Sequence, residues 1–150
     1  MDVTPIGYVV GGREVPADDD WDAETAVIRL DDRFPPDALR GLEAFSHLEV
    51  VYRFHLVGEA RVHTGARRPR GNPDWPEVGI FAQRGKDRPN HLGVSTCGIE
   101  KLEGSVVHVR GLDAIDGTPV LDIKPYMRGF EPRSAIREPE WAREIMQDYW

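Results

Sequence analysis

The chain has 150 residues, of which 40% are hydrophobic and 30% are charged, so it is long enough for one soluble domain with its own core. No apolar run approaches the roughly 18 residues of a membrane span, and the first residues lack the basic-then-apolar order of an export signal, so we expect a cytoplasmic protein with no membrane segment. The net charge of −7 argues against a general nucleic-acid-binding surface, and the single Cys97 excludes an internal disulfide and a thiolate metal cluster.

Short elements separated by turn residues are predicted for the first half of the chain. Ile6–Val10 is predicted as a first strand, and Thr25–Leu30 has the alternation of a second. Two prolines then predict a short helix over Asp37–Leu42, because proline fits the first helical turn. The apolar run His47–His55 is typical of a buried central strand, on which the two terminal histidines would share a face.

The second half begins with a region rich in turn-forming residues. Residues 64–77 contain Gly or Pro at five positions and are predicted to form a long structureless loop. Glu103-Gly104 predicts a hairpin turn, and Pro139–Tyr149 has the apolar spacing of a terminal amphipathic helix. Further strands are predicted at Gly79–Gln83, Gly93–Leu102, Ser105–Leu112 and Thr118–Lys124.

Many short strands and little helix indicate a mainly β fold. We predict a small antiparallel or mixed β-barrel or sandwich, with one short helix and a C-terminal helix. Residues 1–150 are assigned to a single domain, with a core of residues 5–131 and a C-terminal helical tail of residues 132–150. No strand–GxGxxG–helix segment occurs, so the common dinucleotide cradle is not expected.

Basic residues are concentrated in one part of this acidic chain. Residues 61–88 contain seven basic and three acidic side chains, whereas the remaining residues contain 12 basic and 23 acidic ones. A basic island in an acidic protein points to a localised anionic ligand. The island overlaps Gly79–Ser95, and a second charged segment, Leu112–Tyr126, is likewise bounded by Gly and Pro. Stiff, charged segments of this kind are typical of ligand cradles.

The chemical groups in these segments do not form a familiar catalytic motif. A serine and a cysteine follow His91, but no nucleophile elbow accompanies them, so hydrolase chemistry is not indicated. The five histidines lack the spacing of a zinc helix, and no metal site is predicted. Asp116 is assigned to turn chemistry through its side-chain oxygen. Asp122 and Lys124 share a strand face, where they either pair with each other or orient a ligand.

Motifs distributed over residues 5–131 resemble one known family. The longest is Asp116-Gly117-Thr118-Pro119-Val120-Leu121-Asp122-Ile123-Lys124-Pro125-Tyr126. The others are Ile6-Gly7, Gly41-Leu42-Glu43-Ala44-Phe45-Ser46-His47-Leu48, Phe54-His55, Arg68-Pro69-Arg70-Gly71, Gly79-Ile80-Phe81-Ala82 and Arg88-Pro89-Asn90. In this order they are similar to the TsaA-like, TrmO-type family, the older YaeB family.

The resemblance implies a small homodimeric β-barrel that binds S-adenosylmethionine outside any Rossmann fold. It further implies methylation of N6 of threonylcarbamoyl-adenosine at tRNA position 37. Arg84 would hold the methionyl carboxylate, and Asp113 would accept from the ribose hydroxyls or complement the sulfonium. The full set of cofactor contacts that the resemblance implies is Pro16, Ala17, Asp18, His55, Leu56, Arg84, Val94, Leu112, Asp113, Ala114 and Ile115.

Four departures from the family pattern leave the methyl acceptor open. Among them, Pro16-Ala17-Asp18 stands where the family commonly has Pro-Arg-Gln, and His91 stands where it has a proline. These changes remove positive charge beside the cofactor and add a titratable group. The alternatives to tRNA are therefore a small metabolite or a peptide as acceptor, or a non-catalytic module that binds S-adenosylmethionine and regulates a partner.

Two residues are predicted to take the proton that the acceptor nitrogen loses on methylation. His91 is the first candidate, because its ordinary pKa lies near the working pH, and Asp122 is the second. The residues predicted to bind the tRNA substrate are Arg67, Arg68, Arg70, Lys86, Arg88 and Asn90.

Overall fold

The computed structural model describes residues 2–150. It contains eight β-strands, one α-helix and several single 3-10 turns within those residues. The strands are β1 (Gly7–Val10), β2 (Thr25–Leu30), β3 (His47–Arg53), β4 (Ala66–Arg67), β5 (Val78–Gly79), β6 (Leu92–Glu103), β7 (Val106–Arg110) and β8 (Pro119–Pro125), and the helix is α1 (Glu140–Ile145).

Six of the strands form a closed antiparallel barrel in the order β1-β2-β7-β6-β3-β8. The last strand pairs with the first through Gly7 with Val120 and Tyr8 with Pro119, and this pairing closes the barrel. Closure leaves these six strands without a free edge. The predicted mainly β barrel is confirmed, with purely antiparallel pairing. No helix among residues 2–150 is long and apolar enough to cross a membrane.

Alternating side chains of the strands fill the barrel interior. On β3, Leu48, Val50 and Tyr52 are buried while the residues between them are more exposed, which is the period of two that a strand imposes. Cys97 on β6 joins the same core, and burial raises the pKa of its thiol to about 12. Cys97 is therefore a packing residue and not a thiolate nucleophile.

Most predicted strands are confirmed, with ends that lie within one or two residues of those predicted. Thr25–Leu30 is observed with the predicted limits. The Glu103-Gly104 hairpin turn is also present, and Gly104 has a φ of 59°, a conformation that favours glycine.

The prediction of one strand over His47–His55 is wrong at its end. The ladder stops at Arg53, the last residue of β3, which pairs with Leu92. The Phe54 N–H then donates to the His91 carbonyl at 2.8 Å, and the chain turns away from the barrel. His55 therefore lies beyond the strand and does not share a strand face with His47.

The predicted strand over Gly79–Gln83 is also wrong. Strand β5 is only two residues long and is followed by a 3-10 turn at Ile80–Ala82. The Gln83 side-chain amide stabilises this turn, since it donates to the carbonyls of Arg67 and Val78 at 3.0 and 2.8 Å. The preceding region, residues 64–77, is likewise not structureless, because it contains β4 and a 3-10 turn at Pro69–Gly71.

The two predicted helices are shorter than expected. In place of Asp37–Leu42 there are two 3-10 turns, Pro36–Leu39 and Leu42–Ala44, separated by Gly41 with a φ of 91°. A left-handed residue at this point stops the first turn from continuing as an α-helix. Helix α1 covers only six residues of the predicted terminal helix, and the residues after it bond to a loop of the barrel.

Candidate functional site

A small cleft lies where three segments meet at one end of the barrel. One segment follows β1, one is the end of β3 with the residues after it, and one follows β7. The three strands run in the same direction, because each pairs antiparallel with β2, β6 or β8, so the segments meet at the same end of the barrel. The cleft encloses a volume of about 80 Å³. Its lining residues are Pro16, Ala17, Trp21, Tyr52, Phe54, His55, Leu56, Val57, Lys86, Asp113, Ala114, Ile115 and Thr118.

The carboxylate of Asp113 is the anionic group of this mainly apolar cleft. The Tyr52 hydroxyl donates to Asp113 Oδ1 at 3.0 Å and to the Asp113 carbonyl at 3.2 Å. Burial raises the pKa of Tyr52 far above its ordinary value, and the neighbouring Asp113 raises it further. The phenol is therefore a permanent donor, and it fixes the orientation of the carboxylate.

The position of Tyr52 depends on a glycine in the neighbouring strand. Gly93 pairs with Tyr52 across the β3–β6 ladder. A Cβ atom at Gly93 would lie 2.5 Å from two atoms of the tyrosine ring, which is far inside contact distance. Only glycine at this position lets the ring lie flat against the strand and reach Asp113.

The C-terminal tail (residues 132–150) contacts the same carboxylate from outside the barrel. The Tyr149 hydroxyl donates to Asp113 Oδ2. Burial raises the pKa of Tyr149 above its ordinary range, with Asp113 as the next cause, so this phenol also stays protonated. Both oxygens of Asp113 thus accept a hydrogen bond from a tyrosine.

His55 is a polar residue of the cleft lining, and the Asp116 carboxylate lies near it. Partial burial lowers the pKa of His55, although the nearby Asp116 carboxylate acts in the opposite direction. The imidazole is therefore mainly neutral at pH 7. The Asp116 side chain does not cap its own turn as predicted, because its Oδ1 accepts the Gly11 N–H at 2.7 Å and ties the loop after β1 to the β7–β8 loop.

The structure brings most of the predicted cofactor residues together. Seven of the eleven line the cleft, namely Pro16, Ala17, His55, Leu56, Asp113, Ala114 and Ile115. The remaining four lie elsewhere. Leu112 is 2% exposed in the barrel core, and the Arg84 guanidinium donates to the Val94 carbonyl at 2.7 Å. The Asp18 carbonyl accepts from Arg70 at 3.3 Å.

Five lining residues were absent from the sequence-based set: Trp21, Tyr52, Phe54, Val57 and Thr118. Tyr52 could have been predicted, because the alternation of the central strand directs its side chain into the barrel. A buried tyrosine hydroxyl needs a hydrogen-bond partner there. No local pattern indicates that Trp21, in an acidic loop, reaches the same cleft.

The two predicted proton acceptors do not line the cleft. The His91 side chain is 3% exposed, with Nδ1 3.9 Å from the nearest Glu59 carboxylate oxygen. Its Nε2 has no hydrogen-bond partner among residues 2–150. Asp122 pairs with Lys124 on the same strand, which is one of the two alternatives left open for this carboxylate. The catalytic roles of His91 and Asp122 stay predictions.

The predicted substrate-binding arginines are already engaged by their own chain. Arg67 pairs with Asp87 at 3.1 Å, and Arg70 pairs with Asp19 at 2.7 Å. Two further guanidinium groups donate to backbone carbonyls: Arg68 to Pro73 at 3.1 Å and Arg88 to Gln83 at 2.7 Å. A guanidinium has five N–H donors, so each retains donors for a phosphate.

Two other predicted substrate residues differ from these arginines. Lys86 lines the cleft, and Asn90 is exposed in a left-handed conformation with a φ of 64°. Within residues 2–150, no group of three or more His, Cys, Asp or Glu is arranged to hold a metal ion.

The fold and site define a closed, six-stranded antiparallel β-barrel with a small cleft around a tyrosine-held carboxylate. The chain belongs to the family described as the tRNA-methyltransferase O N-terminal domain, whose family model matches residues 12–131. The resemblance seen in the motifs is thereby confirmed.

Several characterised or solved relatives are similar to this chain. A tRNA (adenine(37)-N6)-methyltransferase of Escherichia coli is 41% identical over 61% of this chain and 40% of its own length. A probable S-adenosyl-L-methionine-binding protein of Methanothermobacter thermautotrophicus is 41% identical over 83% of this chain and 88% of its own length. The crystal structure of TrmO from Pseudomonas aeruginosa superimposes with a TM-score of 0.74 and 30% identity, covering 91% of this chain and 60% of that one.

The matched part of several relatives is a minority of their length. A human tRNA (adenine(37)-N6)-methyltransferase is 38% identical over 70% of this chain, but the match spans 23% of the human protein. The similarity therefore describes the barrel domain.

Proposed function

We propose that this chain is an S-adenosylmethionine-dependent methyltransferase that modifies N6 of adenine 37 in tRNA. The observation that carries the proposal is Asp113, a carboxylate held by Tyr52 in a mainly apolar cleft, in a chain of the tRNA-methyltransferase O family. The names of the relatives from Escherichia coli and Methanothermobacter support the activity and the cofactor, respectively.

The donors and acceptors in the cleft fit a sulfonium nucleoside. Asp113 can accept from ribose hydroxyls or complement the positive sulfur, and Phe54 and Ile115 offer apolar surface for the adenine ring. Lys86 supplies positive charge at the cleft for the methionyl carboxylate. The positive charge of Arg84 also reaches the cleft. It lowers the pKa of Tyr52 and Tyr149, although burial and Asp113 raise both pKa values by more.

The finer parts of the proposal come from the family resemblance. We propose threonylcarbamoyl-adenosine as the modified nucleoside, a homodimer as the active form and the cytoplasm as its location. Exposed apolar side chains support a second copy, since Leu56, Phe81 and Val94 are 61%, 76% and 46% exposed.

Bound S-adenosylmethionine supplies an activated methyl group, and the chain's own residues orient it and exclude water. Methyl transfer is an in-line displacement, for which positioning accounts for a large part of the rate enhancement. The acceptor nitrogen must also lose a proton. His91 and Asp122 remain the proposed acceptors, and His55 joins them because it is a mainly neutral imidazole that lines the cleft.

Single substitutions of the three candidates separate their roles. We expect His55→Ala to lower kcat about 10²-fold or more, because a general base must lie within hydrogen-bond reach of the proton that it takes. His91→Ala and Asp122→Asn are compared in the same methyl-transfer assay between pH 6 and pH 9. An unchanged kcat and pH profile in His55→Ala would remove His55, and the same result in either other variant would remove that residue.

Transfer of a labelled methyl group to tRNA tests the proposed function directly. We expect label to enter bulk tRNA from cells that make threonylcarbamoyl-adenosine, and no label to enter tRNA from cells that do not.

Affinity for tRNA should fall steeply with salt, because lysine and arginine contacts release counterions from the phosphates. Lys86→Ala should weaken tRNA or cofactor binding, whereas Lys101→Ala, on the β6–β7 hairpin and paired with Glu103, serves as the matched control.

A second candidate function is a binding module without methyl transfer. The name of the Methanothermobacter relative favours this function, and the match spans a larger share of that protein than of the other relatives described. The ion pairs of Arg67 with Asp87 and of Arg70 with Asp19 also favour it, because they occupy groups that would bind tRNA. Binding of S-adenosylmethionine without label transfer to tRNA or to metabolites from a cell extract would favour this function.

A further inference from the structure

The C-terminal tail is attached to the cleft at several points. The Asp20 and Trp21 N–H groups donate to the Asp148 and Tyr149 carbonyls, both at 2.9 Å. The Trp75 indole N–H donates to Glu144 in helix α1 at 2.6 Å. Trp21 lines the cleft and is 4% exposed, so the tail is bonded directly to the cleft wall.

The Tyr149 hydroxyl holds the one carboxylate that lines the cleft. It donates to Asp113 Oδ2, while Oδ1 accepts from Tyr52 inside the barrel. A ribose hydroxyl is the same kind of donor as a phenol hydroxyl, and it would need the same acceptor. Tyr149 therefore occupies the position on Asp113 that faces away from the barrel core.

The cleft is also small in this conformation. Its volume of about 80 Å³ is below the roughly 300–1,000 Å³ of typical small-molecule sites. The loop between β1 and β2 forms one wall, and the tail bonds to that loop at Asp20 and Trp21. The tail is thus bonded to one wall of the cleft.

We propose that residues 140–150 form a strap that borders the cleft and competes with the nucleoside for Asp113. Release of the Tyr149 hydroxyl frees Oδ2, and separation of residues 148–149 from the loop at Asp20 allows the cleft to widen. The strap follows the region matched by the family model, which ends at residue 131. This inference rests on the proposed function, because it takes the ligand to be S-adenosylmethionine.

Tyr149→Phe tests the strap, because it removes only the hydroxyl and keeps the packed ring. We expect calorimetry to show about tenfold tighter binding of S-adenosylhomocysteine, the unreactive product form, because a hydrogen bond to a charged group no longer opposes entry. The matched control is Tyr126→Phe, whose hydroxyl also donates to a carboxylate, that of Glu131, but whose ring does not line the cleft. The control should bind as the original chain does.

Hydrogen exchange supplies a readout that does not depend on the ligand. In Tyr149→Phe the amides of Asp20 and Trp21 should exchange about tenfold faster, since their acceptors belong to the loosened strap. Unchanged exchange, equal affinity or weaker affinity in this variant would overturn the strap. If neither the original chain nor Tyr149→Phe binds S-adenosylhomocysteine, the proposed function is overturned, and so is the competition between Tyr149 and the nucleoside. Faster exchange in Tyr149→Phe would still show that the Tyr149 hydroxyl holds the tail to the barrel.

Discussion

Asp113→Asn is expected to weaken the binding of S-adenosylmethionine about hundredfold, with little loss of folding stability. The change removes the negative charge that would face the ribose hydroxyls and the sulfonium, and hydrogen bonds to charged groups contribute about 1.5–3 kcal/mol. The asparagine oxygen still accepts from the Tyr52 hydroxyl, which donates to Asp113 Oδ1 at 3.0 Å, so the buried phenol keeps a partner. Titration calorimetry measures the affinity, and thermal unfolding checks the fold.

Asp37→Asn is the matched control for this experiment. Asp37 is an exposed carboxylate that pairs with Arg40 in a 3-10 turn, and it does not line the cleft. Its replacement should leave the affinity unchanged, because exposed ion pairs contribute little. Equal affinities of Asp113→Asn and the original chain would show that the cleft carboxylate does not bind the cofactor.

Gly93→Ala is expected to lower both the stability and the affinity for the cofactor. The added methyl group would lie 2.5 Å from the ring of Tyr52, a side chain that is 2% exposed. Overpacking of this kind costs about 1–3 kcal/mol, and the upper part of that range applies because the contact is with a rigid ring. A displaced ring also leaves Asp113 without its inner donor.

Gly98→Ala on the same strand separates the steric effect from the loss of glycine itself. A Cβ atom at Gly98 would meet only the Arg110 carbonyl at 3.7 Å, an ordinary contact distance. Denaturant unfolding should therefore show a much smaller change for Gly98→Ala than for Gly93→Ala. Equal losses in the two variants would mean that the tyrosine ring accommodates the methyl group.

The barrel could be predicted from the sequence because its strands carry local signals. Thr25–Leu30 alternates in polarity, and Gly104 occupies a turn that requires a positive φ, so these elements depend on few distant contacts. The end of β3 could not be predicted in this way. The apolar run continues through Phe54, but the Phe54 N–H bonds to His91, a residue 37 positions further along, and the strand ends before it.

Part of the cleft lining could be predicted from the sequence, because the family resemblance implies several of its residues as cofactor contacts. Asp113, His55 and Ile115 lie together as expected, because β3 and β7 both pair antiparallel with β6, so the loops that follow them meet at the same end of the barrel. The sequence gives no sign that Arg70 would pair with Asp19, 51 residues earlier, or that Tyr149 would reach Asp113. Such pairs depend on tertiary placement and not on a local pattern of residues.

Closure of the barrel through β1 and β8 has a consequence for the growing chain. Strand β1 can pair with β2 soon after both are synthesised. Its other edge stays unpaired until Pro119 and Val120 of β8 are available, more than 100 residues later. Until then, the backbone of Gly7–Val10 presents unpaired N–H and C=O groups to other chains, and contacts this distant in sequence form slowly. The nascent protein is therefore most exposed to aggregation just before its final strand leaves the ribosome.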